Sequence, residues 1–417
     1  MSGSRREFLR GLTTAATLPA SWMAFSQKVT AASTAGDGES FWRMVKSQFP
    51  LEEGLIYMNA ANVCPASRPV LDRHQQYLRD FQSNPAFQNR EKYAAMRERM
   101  RGKIASMLRV SADEIAITRN TSEGSNTVVQ GLDLKPGDEV VITDQNHPSN
   151  NDSWKVRARR VGFSVRVVPV PIPAKSPEAL VAGIEGAITP RTRVISVTHV
   201  LNTTGAMYPV RRIGEIARRR GIYFHLDGAQ SFGAVDVNLR EIGCDSYSTS
   251  AHKWPMGPLE AGILFIRGEH IARMWPAIVT AGWTDNLKGA RKFEVFGQRD
   301  DPRVASLEAA IDFLQMIGMP RVESRLRELV THAKTELKRL PDVALKTDME
   351  PEICGGVIKF TLKNVPLKQA YDTLWERDRI AISLTAAGEA SGLRWSPHIY
   401  NSPEEIDRAV AAVRALA

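Results

Sequence analysis

Apolar positions along this chain change their period part-way through. Between residues 68 and 108 they recur at helical spacing among many arginines and glutamates, which predicts one long helix or two shorter ones. From Ile115 the pattern becomes short β-branched runs alternating with helical stretches. Strands are predicted at 115–118, 139–143, 164–169, 193–198, 221–226, 245–249 and 262–266, with helices at 122–131, 152–161, 176–187, 211–220 and 237–242. Such alternation predicts an α/β fold with a mostly parallel seven-stranded sheet covered by helices on both faces. Residues 303–340 read as helical. The remainder, with runs at 357–362, 380–384 and 393–396 and helices at 367–377 and 403–416, predicts a small α+β domain. Near the start, 41–46 reads as a short helix and 55–58 as an extended arm entering a turn at Pro65. The expected division is a leader and linker over 1–36, an arm over 37–75 that packs on the small domain, a large domain over 76–302 and a small domain over 303–417.

The N-terminus adds a separate signal. Ser4-Arg5-Arg6-Glu7-Phe8-Leu9-Arg10 precedes a weakly apolar stretch from about Gly11 to Phe25 and small residues near Ala31-Ala32-Ser33. That is the layout of a signal peptide, and the paired arginines before Phe8-Leu9 resemble the twin-arginine export signal. It implies export of the folded protein to the periplasm by the twin-arginine machinery. The apolar stretch is too short and too rich in Thr, Ala and Ser for a stable membrane span, and no other segment reaches that length. Residues 27–40 read as a small polar linker. The net charge of +9 belongs in part to this N-terminus, and no Lys/Arg block is interleaved with aromatics, so nucleic-acid binding has little support. The three cysteines, Cys64, Cys244 and Cys354, are far apart and odd in number, which predicts free, mostly buried thiols. No His/Cys cluster has metal-ligand spacing.

Two runs end in residues that carry chemistry. The apolar run 221–226 leads into Asp227, with Gln230 three residues on, and Ser248-Thr249-Ser250-Ala251-His252 leads into Lys253. Pyridoxal phosphate needs a lysine amine to condense with its aldehyde and a carboxylate to keep its ring nitrogen protonated. It also needs donors for its phosphate. Thr121 and Ser122 follow the strand at 115–118 and open a helix, with Thr121 as the expected N-cap. Each feature has an ordinary reading when alone: a surface lysine, a strand-end aspartate, a helix that merely begins. Their order along the chain is what joins them.

Together with His147 in Asp144-Gln145-Asn146-His147-Pro148-Ser149-Asn150, Asn202 in the segment 199–205 and Arg394 before Trp395-Ser396, these motifs resemble the class V aminotransferase-type enzymes of fold type I. Relatives of that kind include isopenicillin N epimerase-like proteins, kynureninases and cysteine desulfurases, and the resemblance runs from about residue 50 to the C-terminus. It implies a homodimer that binds pyridoxal 5'-phosphate and acts on an amino acid-like small molecule. It implies that Lys253 holds the cofactor and moves the substrate α-proton, that Asp227 pairs with the ring nitrogen and that His147 stacks on the ring. Thr121, Ser122, Ser250 and His252 would surround the phosphate, and Asn202 and Gln230 would approach the cofactor oxygen. Arg394 would clamp the α-carboxylate, with Asn59 and Asn62 at the same mouth. One departure is Gln298, where relatives often place a threonine that reaches the partner subunit's phosphate; Arg299 beside it would suit an acidic substrate group. Another is that 380–394 contains no cysteine, whereas desulfurases carry their nucleophile on a loop before the arginine. The expected activity is that of an aminotransferase or an isopenicillin N epimerase-like enzyme. A lyase or decarboxylase, a siderophore-tailoring enzyme of the pyoverdine kind, and a non-catalytic binding protein on the same fold are the alternatives.

Overall fold

In the computed structural model, the described residues are 23, 25–27, 29, 38–385, 388 and 390–416. The twin-arginine motif and the small residues at 31–33 lie outside them. After a short strand β1 (Ile56–Tyr57), seven strands build the central sheet: β2 (Ile115–Thr118), β3 (Glu139–Thr143), β4 (Ser164–Val168), β5 (Thr192–Thr198), β6 (Tyr223–Asp227), β7 (Ser246–Ser250) and β8 (Gly262–Ile266). All seven predicted strands fall in this sheet. Their order is β2-β8-β7-β6-β5-β3-β4. Only β8 runs against its neighbours; the other adjacent pairs are parallel. The strands are buried along their length except for Arg193 near the start of β5 and for β4, at one edge. This explains why most read as continuous apolar runs with no alternation.

The predicted helical region 68–108 is two helices, α1 (Arg68–Ser83) and α2 (Phe87–Leu108). Pro85 lies between them and cannot donate to a continuing helix. The region 303–340 is likewise two helices, α3 (Asp301–Ile317) and α4 (Met319–Lys338), broken at Gly318 with φ +96°. Because α3 lies almost wholly inside the protein, it ties the large sheet to the C-terminal layer.

The C-terminal region adds β9 (Val343–Leu345), β10 (Ile358–Leu362), β11 (Ile380–Ala381), β12 (Ser383–Thr385) and β13 (Gly392–Trp395). Four of these form an antiparallel sheet in the order β12-β13-β10-β9. Strand β9 has no signature in the sequence, being three residues long with no fully buried position. The remaining strand, β11, pairs in parallel with β1, and a further bridge joins Asn59 to Ser396. The arm is thereby laid directly beside Arg394.

Part of the expected linker at 27–40 is helical. Residues 25–27 and 29 are helical, and both Phe25 and Val29 are buried. The ring of Phe25 stacks on Phe313 with centroids 4.6 Å apart. Two apolar side chains among alanines and serines are a weak sequence signal, yet burying a phenylalanine contributes about 1.5–3 kcal/mol. Among the described residues no helix is long and apolar enough to cross a membrane.

Candidate active site

The C-terminal ends of β2, β3, β5, β6 and β7 deliver the predicted residues to one edge of the sheet, where ligands of open α/β sheets bind. At one end of this region a helix (Thr121–Gly131) begins directly after β2. Its N-cap is Asn120 and not Thr121: the Asn120 side chain accepts the Glu123 N–H at 3.0 Å. As the first helical residue, Thr121 is free to meet Ser250. The Ser250 Oγ lies 2.8 Å from the Thr121 N–H and 2.7 Å from its hydroxyl. Gly124 permits this approach, since a Cβ there would stand 2.9 Å from Ser248 Cβ. The Ser122 N–H and hydroxyl have no partner among the described residues, and the buried His252 Nδ1 has none either. Burial holds the His252 imidazole neutral, its pKa pushed down to about 4. A helix N-terminus with hydroxyls and an unpaired imidazole around it offers the donors that a phosphate needs.

Asp227 is the last residue of β6 and is buried. Its Oδ1 accepts the Ala229 N–H at 3.0 Å, while Oδ2 has no partner among the described residues. Burial raises its pKa, and Lys253 and His147 pull it back. Lys253 follows β7, and its ammonium donates no hydrogen bond among the described residues. Burial pushes its pKa below the ordinary lysine range, with Asp227 opposing that shift and Arg394 adding to it. Carboxylate and amine thus both lean towards neutrality, because burial outweighs their mutual attraction. His147 caps the helix that follows β3, with Nδ1 accepting the Ser149 N–H at 3.2 Å. That bond leaves the proton on Nε2 and fixes the ring, one of whose sides is exposed.

Arg394, on β13, closes the opposite side. Nη1 donates to the Asn202 carbonyl at 2.9 Å and Nη2 to Asn59 Oδ1 at 3.1 Å, while Nε is buried and unpaired. Burial lowers its pKa to about 10, with no acidic residue among the causes. The side-chain oxygen of Asn202 is also buried without a partner. Gln230 is more committed than its sequence context implies. Its Nε2 donates to the Ala61 carbonyl at 3.0 Å and its Oε1 accepts from Trp254 Nε1 at 2.7 Å, leaving a single amide hydrogen for a cofactor.

Asn62 and Arg299 make no bond to the other predicted residues, and Gln298, expected to reach the partner subunit's phosphate, lies at the surface. Asn62 is exposed and makes no side-chain bond to the clamp. Gln298 is exposed and accepts from Arg90 Nη2 at 2.7 Å. Arg299 spends both terminal nitrogens on the main chain of β2, at 2.6 Å to the Ile117 carbonyl and 3.1 Å to that of Thr118, so it braces the strand under the phosphate end. Carbonyls at a strand end compete well for a guanidinium that burial has stripped of water. Conversely, the sequence reading passed over Tyr57 and Cys64. Tyr57 lies close enough to Arg394 for the guanidinium to favour its ionised form, and Cys64 does the same for Lys253. Cys64 Sγ sits 3.7 Å from the Ala60 carbonyl and from Tyr400 Oη. Neither position carries a motif. Asp245, Glu269 and His270 also converge, within 4.8 Å. Asp245 there already accepts from Arg267 and the Phe224 N–H and bonds the His270 ring, so its oxygens are engaged within the protein.

The pattern described as Aminotransferase class-V matches residues 56–409. The chain belongs to that family. It is 29% identical over 395 residues to the isopenicillin N epimerase of Amycolatopsis lactamdurans, covering 90% of this chain and 98% of the relative. It is also 29% identical over 388 residues to a probable cysteine desulfurase of Methanothermobacter thermautotrophicus, covering 87% and 94%. Among solved structures, a lysine-to-alanine variant of C-DES with glycine covalently linked to its PLP cofactor matches with a TM-score of 0.82, at 24% identity over 89% of this chain and 99% of that one. The cofactor of this fold is pyridoxal phosphate, and the residues present fit it: an unbonded lysine, a carboxylate with one free oxygen, and an unpaired imidazole beside a helix N-terminus.

Arg394→Ala should raise KM for substrates with an α-carboxylate by about 10- to 100-fold, the loss expected of a charge-assisted pair, with a smaller change in kcat. An unchanged KM would place the clamp elsewhere.

Proposed function

We propose that this protein is a pyridoxal phosphate enzyme that moves the α-proton of an amino acid-like substrate, ending in transamination or in epimerisation at that carbon. The observation that carries this reading is Lys253, which follows β7 and whose amine is unbonded among the described residues and biased by burial towards its neutral form, with the Asp227 carboxylate and the Arg394 guanidinium both acting on its charge. When bound, the cofactor supplies the aldehyde that takes up the amine and the ring that withdraws electrons from the α-carbon. Arg394 binds the α-carboxylate and so orients the bond to hydrogen. Lys253 would act as base and then acid at the α-carbon. Asp227 would be the residue that holds the charge of the ring nitrogen, and His147 would lie against the ring.

Thiol chemistry of the kind named for the desulfurase relatives is not favoured. Cys64, the cysteine near Lys253, is buried and bonded, and burial raises its pKa far above the reactive range. The test is incubation of the cofactor-loaded protein with amino acids in D2O. Either deuterium at the α-carbon of the recovered amino acid or an oxo acid, which has lost that hydrogen, is expected; recovery of unlabelled amino acid with no oxo acid formed would overturn the proposal. An oxo acid product marks transamination, and a labelled mirror-image amino acid marks epimerisation.

We also propose that the protein is exported through its paired arginines. Arg5→Lys combined with Arg6→Lys should leave it in the cytoplasmic fraction. Unchanged appearance in the periplasm would refute this.

A further inference from the structure

Lys359 lies on β10 directly opposite Arg394 on β13, while Ser383 of β12 is opposite Arg394 on its other side. Residues paired across antiparallel strands share a face, so both cations emerge on the side of the small sheet that carries the carboxylate clamp. Lys359 is buried completely. Its ammonium donates to the Thr385 hydroxyl and, at 3.2 Å, to the Gly392 carbonyl. Both acceptors are neutral, and the third N–H has no acceptor among the described residues. Gly392 makes room for the lysine stem: at φ +146° a Cβ there would stand 2.5 Å from the Phe360 carbonyl and 3.3 Å from Lys359 Cδ.

Among the described residues the charge acting on this lysine has one sign. Burial drives its proton off most strongly, Arg394 and Lys346 add to that, and no described acid opposes them. Lys346 stands next to it through a main-chain bond, its N–H donating to the Lys359 carbonyl at 2.8 Å. An ammonium buried without a carboxylate is costly, and a second cation beside it raises the cost. A monocarboxylate on Arg394 would answer one of the two charges. A molecule with two carboxylates answers both.

We infer that Lys359 is a specificity-determining residue that reads a second carboxylate on the substrate, so that the preferred substrate class is amino acids with an acidic side chain. The α-carboxylate goes to Arg394, and the distal carboxylate takes the place of the neutral acceptors on Lys359. This deepens the proposed function and rests on its reading of Arg394.

The test compares glutamate with glutamine, an uncharged amide of nearly the same shape, by titrating the visible band of the cofactor-loaded protein. Glutamate should bind about 10-fold or more tightly than glutamine, as a charge-assisted hydrogen bond allows. Lys359→Met should abolish that preference by weakening glutamate alone, and Lys359→Arg should retain it. Equal affinities in the unaltered protein, or equal weakening of both ligands by Lys359→Met, would overturn the inference. So would a response to other amino acids but to neither of these. If no amine perturbs the band, the proposed function fails instead, and a cofactor-independent measurement decides this point. Glutarate should then raise the Tm of the cofactor-free protein more than butyrate does; equal shifts would overturn the inference. Should Lys359→Met fail to fold, the two comparisons on the unaltered protein still decide.

Discussion

Replacing Lys253 by alanine should leave a protein that takes up pyridoxal phosphate without the visible band of the lysine-bound form, and that turns substrate over about 10^3- to 10^4-fold more slowly. Two functions are lost together: the amine that holds the cofactor aldehyde and the base that reaches the α-carbon. The site supplies no substitute. His147 is held as a helix cap through Nδ1, and Cys64 is protonated and bonded to its neighbours. Fold stability should change little, because the Lys253 ammonium makes no hydrogen bond among the described residues and is destabilised by burial. Absorption spectroscopy with and without cofactor, beside steady-state rates, is the measurement. Retained turnover with a retained band would remove Lys253 from the site altogether.

Asp227→Asn should cost about 10^2- to 10^4-fold in rate while leaving the cofactor-free protein at least as stable as the parent. The asparagine keeps an oxygen for the Ala229 N–H, now accepted by Oδ1 at 3.0 Å, and removes only the charge. The sign follows from the direction of the pKa shift. Asp227 is raised above the ordinary carboxylate value, so the folded state favours its protonated form. The resulting penalty on the empty fold is absent below the ordinary carboxylate pKa and grows as pH rises towards the folded one. Removing the carboxylate should therefore raise the Tm of the cofactor-free protein at neutral pH and leave it unchanged in acid. A protonated ring nitrogen cancels the same penalty, so cofactor should stabilise the parent more than the variant. Thermal melts with and without cofactor read this directly. A variant that melts well below the parent yet stays active would mean that Asp227 is structural.

Asp227 ends a buried strand whose apolar run announces it, whereas Lys253 lies three residues beyond a buried strand of mostly hydroxyl residues and was legible through the Ser250-Ala251-His252 motif before it. His147, beyond β3, was likewise legible through the motif around it. Thr121, Ser250 and His252 were legible as a group, although the cap proved to be Asn120. Capping needs an extended residue before the first turn, and only the backbone shows which residue that is. Arg299 marks the boundary of such reading. It lies in irregular chain with no periodicity to constrain it, and its partners, the carbonyls of β2, are about 180 residues away.

By itself the sequence determined the α/β class, all seven strands of the large sheet, the family and the order of the cofactor-binding residues. These follow from local periodicity and from short motifs, which survive without knowledge of what packs on them. The tertiary structure alone decided which polar groups remain unpaired once the chain has folded. It satisfied Gln230 with Ala61 and Trp254, diverted Arg299 to the main chain, brought the arm's Asn59 against Arg394, and set Lys359 beside that arginine with no acid among the described residues to answer it. Hydrogen-bond satisfaction and uncompensated charge depend on every neighbour in space. That is why the site's capacity to bind becomes visible only after the strands are paired.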